Sequence, residues 1–158
     1  MISIYNKINN KHIASGHRVG IVGGGQLAKM IGLSAMELGC EIVILEKTKK
    51  APSTSLAIDT LYGDWNDPSN LLNLAKMVDV VSLENEFVDA NSLRVLEQAG
   101  HRLYPTSTTI GLVQDKLNQK QALSDAGIPV IPFAAVNSQE EIIQLADQLG
   151  WPVVLKTR

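Results

Sequence analysis

Three consecutive glycines, Gly23-Gly24-Gly25, separate an apolar run from a helical pattern and constrain the fold of this chain more than any other feature. The preceding residues 18–22 are mostly apolar and β-branched, which predicts a short buried strand. Residues 26–38 carry apolar side chains at helical spacing, and Gly39 suits the left-handed end of a helix. Residues 41–45 predict a second buried strand. A strand, a helix and a strand in this order form a βαβ unit, which requires a parallel sheet.

The alternation of strands and helices continues along the chain. Further elements are predicted at residues 60–62 (strand), 68–77 (helix), 78–83 (strand), 91–99 (helix) and 103–104 (strand). The helix signal at Asp67-Pro68 is strong, because an N-cap residue precedes a proline at the first helical position. The pattern predicts an α/β fold with a Rossmann-like parallel sheet over residues 18–113.

The two ends of the chain differ from this pattern. The first 17 residues contain no Asp or Glu and show weak periodicity, so we predict a poorly ordered N-terminal extension at 1–17. Beyond residue 113, we predict one helix at 115–126 and a second at 138–149. Between them, residues 128–132 contain two prolines and should form an extended connection. Residues 153–156 should begin a strand. Ser138 and Glu141 form a capping box at the second of these helices.

Composition excludes several classes of protein. Hydrophobic residues make up 45% and charged residues 19% of the 158, a globular balance rather than a disordered one. A net charge of -2 gives no electrostatic reason to expect nucleic acid. There is no apolar run of the ~18 residues that a membrane span needs, nor the apolar middle of a signal peptide, so we expect a cytoplasmic protein. The single cysteine, Cys40, excludes an intramolecular disulfide framework and a cysteine-built zinc site.

The glycine loop fits a phosphate-binding motif. Gly23, Gly25 and Ala28 match the pattern G-x-G-x-x-G/A between a strand and a helix, and Glu46 lies 46 − 23 = 23 residues after Gly23. A glycine lets the backbone approach a phosphate closely, and the N–H groups of a helix N-terminus face the anion. The local pattern therefore predicts an anion or nucleotide site and leaves a dinucleotide and a sugar phosphate both open.

An acidic cluster, Glu84-Asn85-Glu86, follows the predicted strand at 78–83. Ligands of open parallel sheets collect outside the carboxyl ends of the strands, which places this cluster beside the glycine loop. Carboxylates accept hydrogen bonds from hydroxyl and amine groups, so a ligand that carries such groups fits here. A solvated acidic loop and a Mg²⁺ site are the alternatives.

Two lysines are candidates for phosphate binding. Lys156 follows the apolar residues 153–155, where a lysine is costly to bury unless it is paired, and Lys116 lies near a helix start. Their alternative roles are an ordinary strand-end lysine and a solvated helix face, the latter slightly favoured by Lys120 four residues after Lys116.

Six motifs occur in one order and spacing. They are Gly23-Gly24-Gly25-Gln26-Leu27, Glu84-Asn85-Glu86, Tyr104-Pro105-Thr106-Ser107, Gln114-Asp115-Lys116 with Lys120, Gly127-Ile128-Pro129 and Val154-Leu155-Lys156-Thr157-Arg158. The set resembles the N-terminal part of the 5-(carboxyamino)imidazole ribonucleotide synthase (PurK) family, within the ATP-grasp superfamily, over residues 18–158. The resemblance implies a pre-ATP-grasp substrate-binding domain at 18–113, followed by the truncated start of an ATP-grasp domain at 114–158.

The resemblance also assigns site residues. It implies that aminoimidazole ribonucleotide is bound by Gly24, Gly25, Gln26, Leu27 and Glu84. It implies that Lys116, where the family commonly has Arg, and Lys156 reach the phosphates of ATP, and that the Mg²⁺ ligands lie beyond residue 158. The family pattern Glu-aliphatic-Glu-Asn-Val differs from residues 84–88 of this chain, so Glu86 receives no role.

The implied activity is that of an ATP-dependent ligase of purine biosynthesis. Such an enzyme activates bicarbonate as carboxyphosphate and carboxylates aminoimidazole ribonucleotide, and its full-length relatives commonly form homodimers. We expect the 158-residue chain alone to lack synthase activity, and we assign none of its residues to catalysis or to a metal. Two other functions remain open: an NAD-dependent oxidoreductase that uses Gly23, Gly25, Ala28 and Glu46, and a non-catalytic remnant that binds a ribose phosphate.

Overall fold

The structure is a computed structural model that describes residues 16–156, and it contains a four-stranded parallel sheet. Its strands are β1 (Arg18–Val22), β2 (Glu41–Glu46), β3 (Asp59–Tyr62) and β4 (Val80–Leu83), in the spatial order β3-β2-β1-β4. A single parallel bridge joins Val81 to Leu103, where the sequence predicts a short strand at 103–104. The α/β class and the parallel sheet are confirmed.

Helix α1 (Gln26–Glu37) connects β1 to β2, α2 (Pro68–Ala75) connects β3 to β4, and α3 (Ala90–Gln98) follows β4. The α2 helix begins at Pro68 as predicted, because the Asp67 carboxylate accepts the Ser69 N–H at 2.9 Å and satisfies one of the first free amides. Asp89 caps α3 in the same way through Ser92 N–H, at 2.8 Å. Each helix end differs from the predicted end by a few residues at most, as is usual for frayed termini.

The core of the sheet lies between these helices and strands β1 and β2. Its fully buried large side chains include Ile21, Ile42, Ile44, Leu45, Leu71, Leu74, Leu93 and Leu96. The α1 helix packs closely on the sheet because Gly32 faces it: a Cβ at this position would lie 2.9 Å from Ile42 Cδ1. This packing fixes the carboxyl ends of β1, β2 and β4, where the glycine loop, Glu46 and Glu84 lie.

The chain divides into two compact units, one ending at Ser107 and the other beginning at Thr108. The second unit contains α5 (Lys116–Asp125) and α6 (Gln139–Leu149), both close to their predicted bounds. The predicted capping box is only half formed. Ser138 Oγ accepts the Glu141 N–H, whereas Glu141 Oε2 accepts the N–H of Asn137 rather than that of Ser138.

One prediction for this part of the chain is wrong, and one helix has no predicted counterpart. Residues Ser107–Gln114 form a helix, α4, which the sequence pattern does not predict because its two threonines, valine and glycine are weak helix formers. Residues 153–156, predicted to begin a strand, have no strand partner among residues 16–156 and therefore do not form a strand.

The domain boundary predicted between residues 113 and 114 stays a prediction. Residues 1–15 of the predicted extension lie outside the described residues, whereas the Gly16 N–H donates to Gly39 O at 3.1 Å.

Candidate functional site

The glycine loop leads from β1 into α1 at the carboxyl edge of the sheet. Gly23 adopts a φ of +95°, in the region that favours glycine, and its N–H donates to Leu45 O at 2.9 Å. Gly25 is the N-cap residue of α1 and provides no side-chain cap. Helix α1 also has no acidic residue in its first turn, so a negative charge from another part of the chain would stabilise its N-terminus.

Glu84 supplies this charge from the end of β4. Its Oε2 accepts the Gly25 N–H at 2.6 Å, and the side chain is half-buried. The contact needs glycine on the loop: a Cβ on Gly25 would lie 2.1 Å from Glu84 Oε1, and one on Gly23 would lie 2.7 Å from Oε2. The prediction that the acidic cluster lies beside the glycine loop is confirmed for Glu84.

Glu46 reaches the same loop from the end of β2. Its Oε2 accepts the Gly24 N–H at 2.6 Å, and its Oε1 accepts N–H groups of Lys47 and Thr48 at 2.7 and 3.0 Å. The residue is buried, at 6% exposure. The carboxylates of Glu46 and Glu84 therefore accept hydrogen bonds from two successive N–H groups of the glycine loop. In a phosphate-binding loop, these N–H groups would be free to donate to the phosphate.

The remaining predicted substrate residues lie at the start of α1. Gln26 and Leu27 are both exposed, and Leu27 lines a groove of about 560 Å³ whose other lining residues include Met30, Leu38 and Glu84. The structure therefore brings Leu27 and Glu84 together on one surface. It places Gln26 at the first position of the helix, next to the loop.

The rest of the acidic cluster follows a turn. Asn85 Oδ1 accepts the Phe87 N–H at 2.9 Å, which bends the chain just after β4, so Glu84 and Glu86 do not continue a strand. Phe87 is 74% exposed beyond this turn. Among residues 16–156, no group of three or more His, Cys, Asp or Glu side chains could hold a metal ion.

The two predicted phosphate-binding lysines share a cavity in the second unit. Lys116, Lys120 and Lys156 line a cavity of about 810 Å³, whose other walls are largely apolar. Lys120 Nζ lies 5.5 Å from the centre of the Phe133 ring, a cation–π contact, and Lys116 Nζ donates to Val113 O at 3.2 Å. A basic, apolar-walled cavity of this kind suits an anionic ligand with a flat apolar part.

Comparison with known protein families places the glycine loop and Glu84 in a defined domain type. The sequence model of the ribonucleotide synthetase preATP-grasp domain matches residues 17–114, which contain β1 to β4 and the glycine loop. The chain belongs to this family. The match ends at Gln114, just before the N-cap of α5.

Similar proteins share this preATP-grasp region. The N5-carboxyaminoimidazole ribonucleotide synthase of Staphylococcus epidermidis is 30% identical over 151 residues, which are 96% of this chain and 40% of that protein. The Staphylococcus aureus N5-carboxyaminoimidazole synthetase complexed with ADP has a TM-score of 0.78 at 32% identity, covering 93% of this chain and 40% of its own. An Aspergillus clavatus synthase in complex with ADP and 5-aminoimidazole ribonucleotide has a TM-score of 0.73 at 30% identity, covering 87% and 37%. The chain thus spans about two fifths of these relatives.

The geometry of the preATP-grasp loop disfavours the dinucleotide interpretation. In a dinucleotide-binding loop, the backbone amides face a pyrophosphate and the acid after the second strand binds ribose hydroxyls. Here Glu84 and Glu46 accept the Gly25 and Gly24 amides, and Glu46 is buried with both oxygens hydrogen-bonded. A pyrophosphate would have to displace one carboxylate in the presence of another negative charge.

Sequence reasoning missed the residue that holds the other side of the loop. Ser53, which is 1% exposed, donates to Gly24 O through both its N–H at 3.0 Å and its Oγ at 2.8 Å. Its neighbours Ala51, Pro52, Thr54 and Ser55 indicate only a loop, and no spacing rule connects Ser53 to Gly24. The long connection between β2 and β3 therefore belongs to the site.

A charged group beside the loop was also missed. Lys47 Nζ lies 2.9 Å from Asp64 Oδ1 and 4.3 Å from the centre of the Trp65 ring. The Asn66 N–H and Lys47 hold the pKa of Asp64 below its usual value. This exposed cluster joins the loops that follow β2 and β3.

Over residues 16–156, no helix is long and apolar enough to cross a bilayer.

Proposed function

We propose that this chain is the N-terminal part of an ATP-dependent ligase that carboxylates 5-aminoimidazole ribonucleotide with bicarbonate, through carboxyphosphate, in purine biosynthesis. The observation that carries the proposal is the Glu84 carboxylate on the Gly25 amide, in a loop that the family match covers. The names of the relatives and the ligands of the Aspergillus clavatus complex support it. A cytoplasmic location and a homodimeric state belong to the proposal as properties of the longer enzyme.

In this proposal the first unit binds the ribonucleotide. A carboxylate accepts hydrogen bonds and donates none, so Glu84 suits ribose hydroxyls or the ring amine and repels a phosphate. Gly24 and Gly25 contribute a backbone that Glu84 can approach closely, since a Cβ on either would collide with Glu46 or Glu84. Gln26 offers an amide that donates and accepts, and Leu27 forms an apolar wall of the groove beside Glu84.

The second unit contributes to ATP binding. Lys116 and Lys156 neutralise phosphate charge, and the apolar walls of their shared cavity suit the adenine ring. Lysine is a mobile point charge, so two lysines on different segments can follow the phosphates as they move toward bicarbonate. No group of three or more His, Cys, Asp or Glu side chains within residues 16–156 could hold Mg²⁺.

Calorimetry tests the ribonucleotide site. We expect the 158-residue chain to bind 5-aminoimidazole ribonucleotide and not NADH, and Glu84→Gln to weaken the ribonucleotide at least tenfold because the charged acceptor is lost. The matched control is Glu37→Gln, which removes an exposed carboxylate at the far end of α1. Equal affinities for the wild type and Glu84→Gln would refute the assignment, and tight NADH binding would favour the oxidoreductase.

Two further measurements separate the ligase part from a simple ribonucleotide-binding module. The ligase proposal requires ATP binding by the same chain, which a module without the second site would lack. We also expect no phosphate release from ATP, bicarbonate, Mg²⁺ and ribonucleotide, because the described residues lack a metal-ligand cluster. Ribonucleotide-dependent phosphate release by the purified chain would contradict that expectation.

A further inference from the structure

We infer that Glu46 is a positioning residue of the ribonucleotide site: with Ser53, it holds the Gly24 backbone so that Gly25 meets Glu84 in the geometry that receives the ligand. The inference rests on the proposed function, since the ligand in question is the ribonucleotide. It assigns Glu46 a role different from the ribose contact that the dinucleotide pattern predicts.

The hydrogen bonds around Gly24 carry the inference. Glu46 Oε2 accepts the Gly24 N–H at 2.6 Å, while Ser53 donates its N–H and Oγ to Gly24 O at 3.0 and 2.8 Å. The Gly24 carbonyl and the Gly25 N–H belong to one planar peptide group. Ser53 therefore holds one edge of the plane whose other edge donates to Glu84 at 2.6 Å. Turning that plane would break the Ser53 contacts and the Glu84 contact together.

Both oxygens of Glu46 accept hydrogen bonds from within the protein. Besides the Gly24 contact, its Oε1 accepts the Lys47 N–H, the Thr48 N–H and the Thr48 Oγ–H, at 2.7, 3.0 and 3.3 Å. A carboxylate offers about two acceptor positions on each oxygen, so these contacts fill Oε1 and take one of the two positions on Oε2. Since Glu46 is also 6% exposed, a ligand reaches it only after the loop opens.

Packing leaves the loop little freedom to compensate for a change at Glu46. A Cβ on Gly24 would lie 2.8 Å both from Ala51 Cβ and from Glu46 Oε2, so the backbone is enclosed on this side. Glutamine at position 46 would replace one acceptor oxygen by an NH₂ donor facing N–H groups. The Gly24 peptide would then lose a charge-assisted bond, and the alignment of Gly25 with Glu84 would change with it.

The test combines amide NMR with calorimetry on the ¹⁵N-labelled 158-residue chain. In Glu46→Gln we expect the Gly24 and Gly25 resonances to move, although the Gly25 N–H donates to Glu84 rather than to Glu46. We also expect the ribonucleotide to bind about tenfold more weakly or worse. We expect Glu46→Asp not to restore binding, because its shorter side chain does not reach Gly24. The control is Glu41→Gln on the same strand, whose carboxylate pairs with Arg18 at 2.8 Å away from the loop.

Unchanged ribonucleotide affinity in a folded Glu46→Gln chain overturns the inference, as does NADH binding that the substitution abolishes. If Glu46→Gln does not fold, Ser53→Ala decides instead: a shifted Gly25 resonance with weaker binding supports the inference, and an unshifted one overturns it. If the wild type binds no ribonucleotide, the proposed function fails. The positioning of Gly25 by Glu46 is then still decided by whether the Gly25 resonance moves.

Discussion

Glu84 Oε2 lies 2.6 Å from the amide nitrogen of Gly25, a residue 59 positions earlier in the chain. The contact places a carboxylate on the N-terminus of α1, which has neither a side-chain cap nor an acidic first turn of its own. A carboxylate at this position is stabilised by the partial positive charge of the helix end. The same group therefore stabilises the helix and presents a hydrogen-bond acceptor to the groove beside Leu27.

Gly25→Ala should destabilise the fold and abolish ribonucleotide binding. The backbone at Gly25, with φ -74° and ψ -158°, suits any residue, so the cost comes from the collision of the new Cβ with Glu84 Oε1 at 2.1 Å. We expect a loss of about 1–3 kcal/mol in the free energy of unfolding, measured by urea denaturation.

A double-mutant cycle isolates this collision. In the background of Glu84→Ala, the same Gly25→Ala change should cost only about 0.5 kcal/mol, the penalty for alanine as an N-cap. Strictly additive effects of the two substitutions would contradict the contact.

Asp89 should make the stability of the first unit depend on pH in acid. Hydrogen bonds from the Ser92 N–H and hydroxyl hold its pKa below the usual value. A lowered pKa in the folded state means that the charged cap stabilises above the unfolded pKa of about 4, and that this contribution is lost as the pH falls through the folded value. Asp89→Asn keeps the capping oxygen without the charge, so the wild type should be about 0.5 kcal/mol more stable at pH 7.

The acid dependence is checked by urea unfolding of both chains at pH 7, 4 and 3. The advantage of the wild type should shrink below pH 4, because the two side chains become alike in charge. A difference that stays constant or grows toward pH 3 would show that Asp89 does not titrate in this way.

The sheet was predictable because its signals are local. Each strand of the βαβ unit is a short apolar run bounded by glycine or by a charged residue, and α2 begins at an N-cap residue followed by proline. Periodicity and capping are therefore enough to predict the order of these strands and helices. Residues 153–156 show the limit of this reasoning. An apolar β-branched run predicts a strand, but a strand forms only where another strand accepts its hydrogen bonds.

The site was predictable only in part, because its contacts join distant segments. Glu84 could be placed beside the glycine loop, since carboxyl ends of parallel strands meet at one edge. The hydrogen-bond partner of Glu46 could not be predicted, because the motif expects this acid to face a ribose. Only the structure shows that the Glu46 side chain turns inward to Gly24. Ser53 carries no signal at all, because no spacing rule links a loop serine to a glycine carbonyl 29 residues away.

Lys116 and Lys156 should each contribute to ATP binding by the second unit. Because both line one cavity, replacing either by alanine should weaken ATP about tenfold, measured by calorimetry with Mg²⁺-free ATP. Lys116→Arg should retain the affinity, since a guanidinium also neutralises phosphate charge. The affinity of the wild type should fall with rising salt, because part of the attraction acts through solvent.

The matched control for these lysines is Lys76→Ala, which removes an exposed ammonium at the C-cap of α2 in the first unit. Its net-charge change equals that of each cavity variant, so any loss of affinity shared by all three reports only the overall charge of the chain. A loss confined to the two cavity lysines assigns the phosphates to them. Equal losses in all three would instead mean that ATP binds by nonspecific attraction, and the assignment of Lys116 and Lys156 would be wrong.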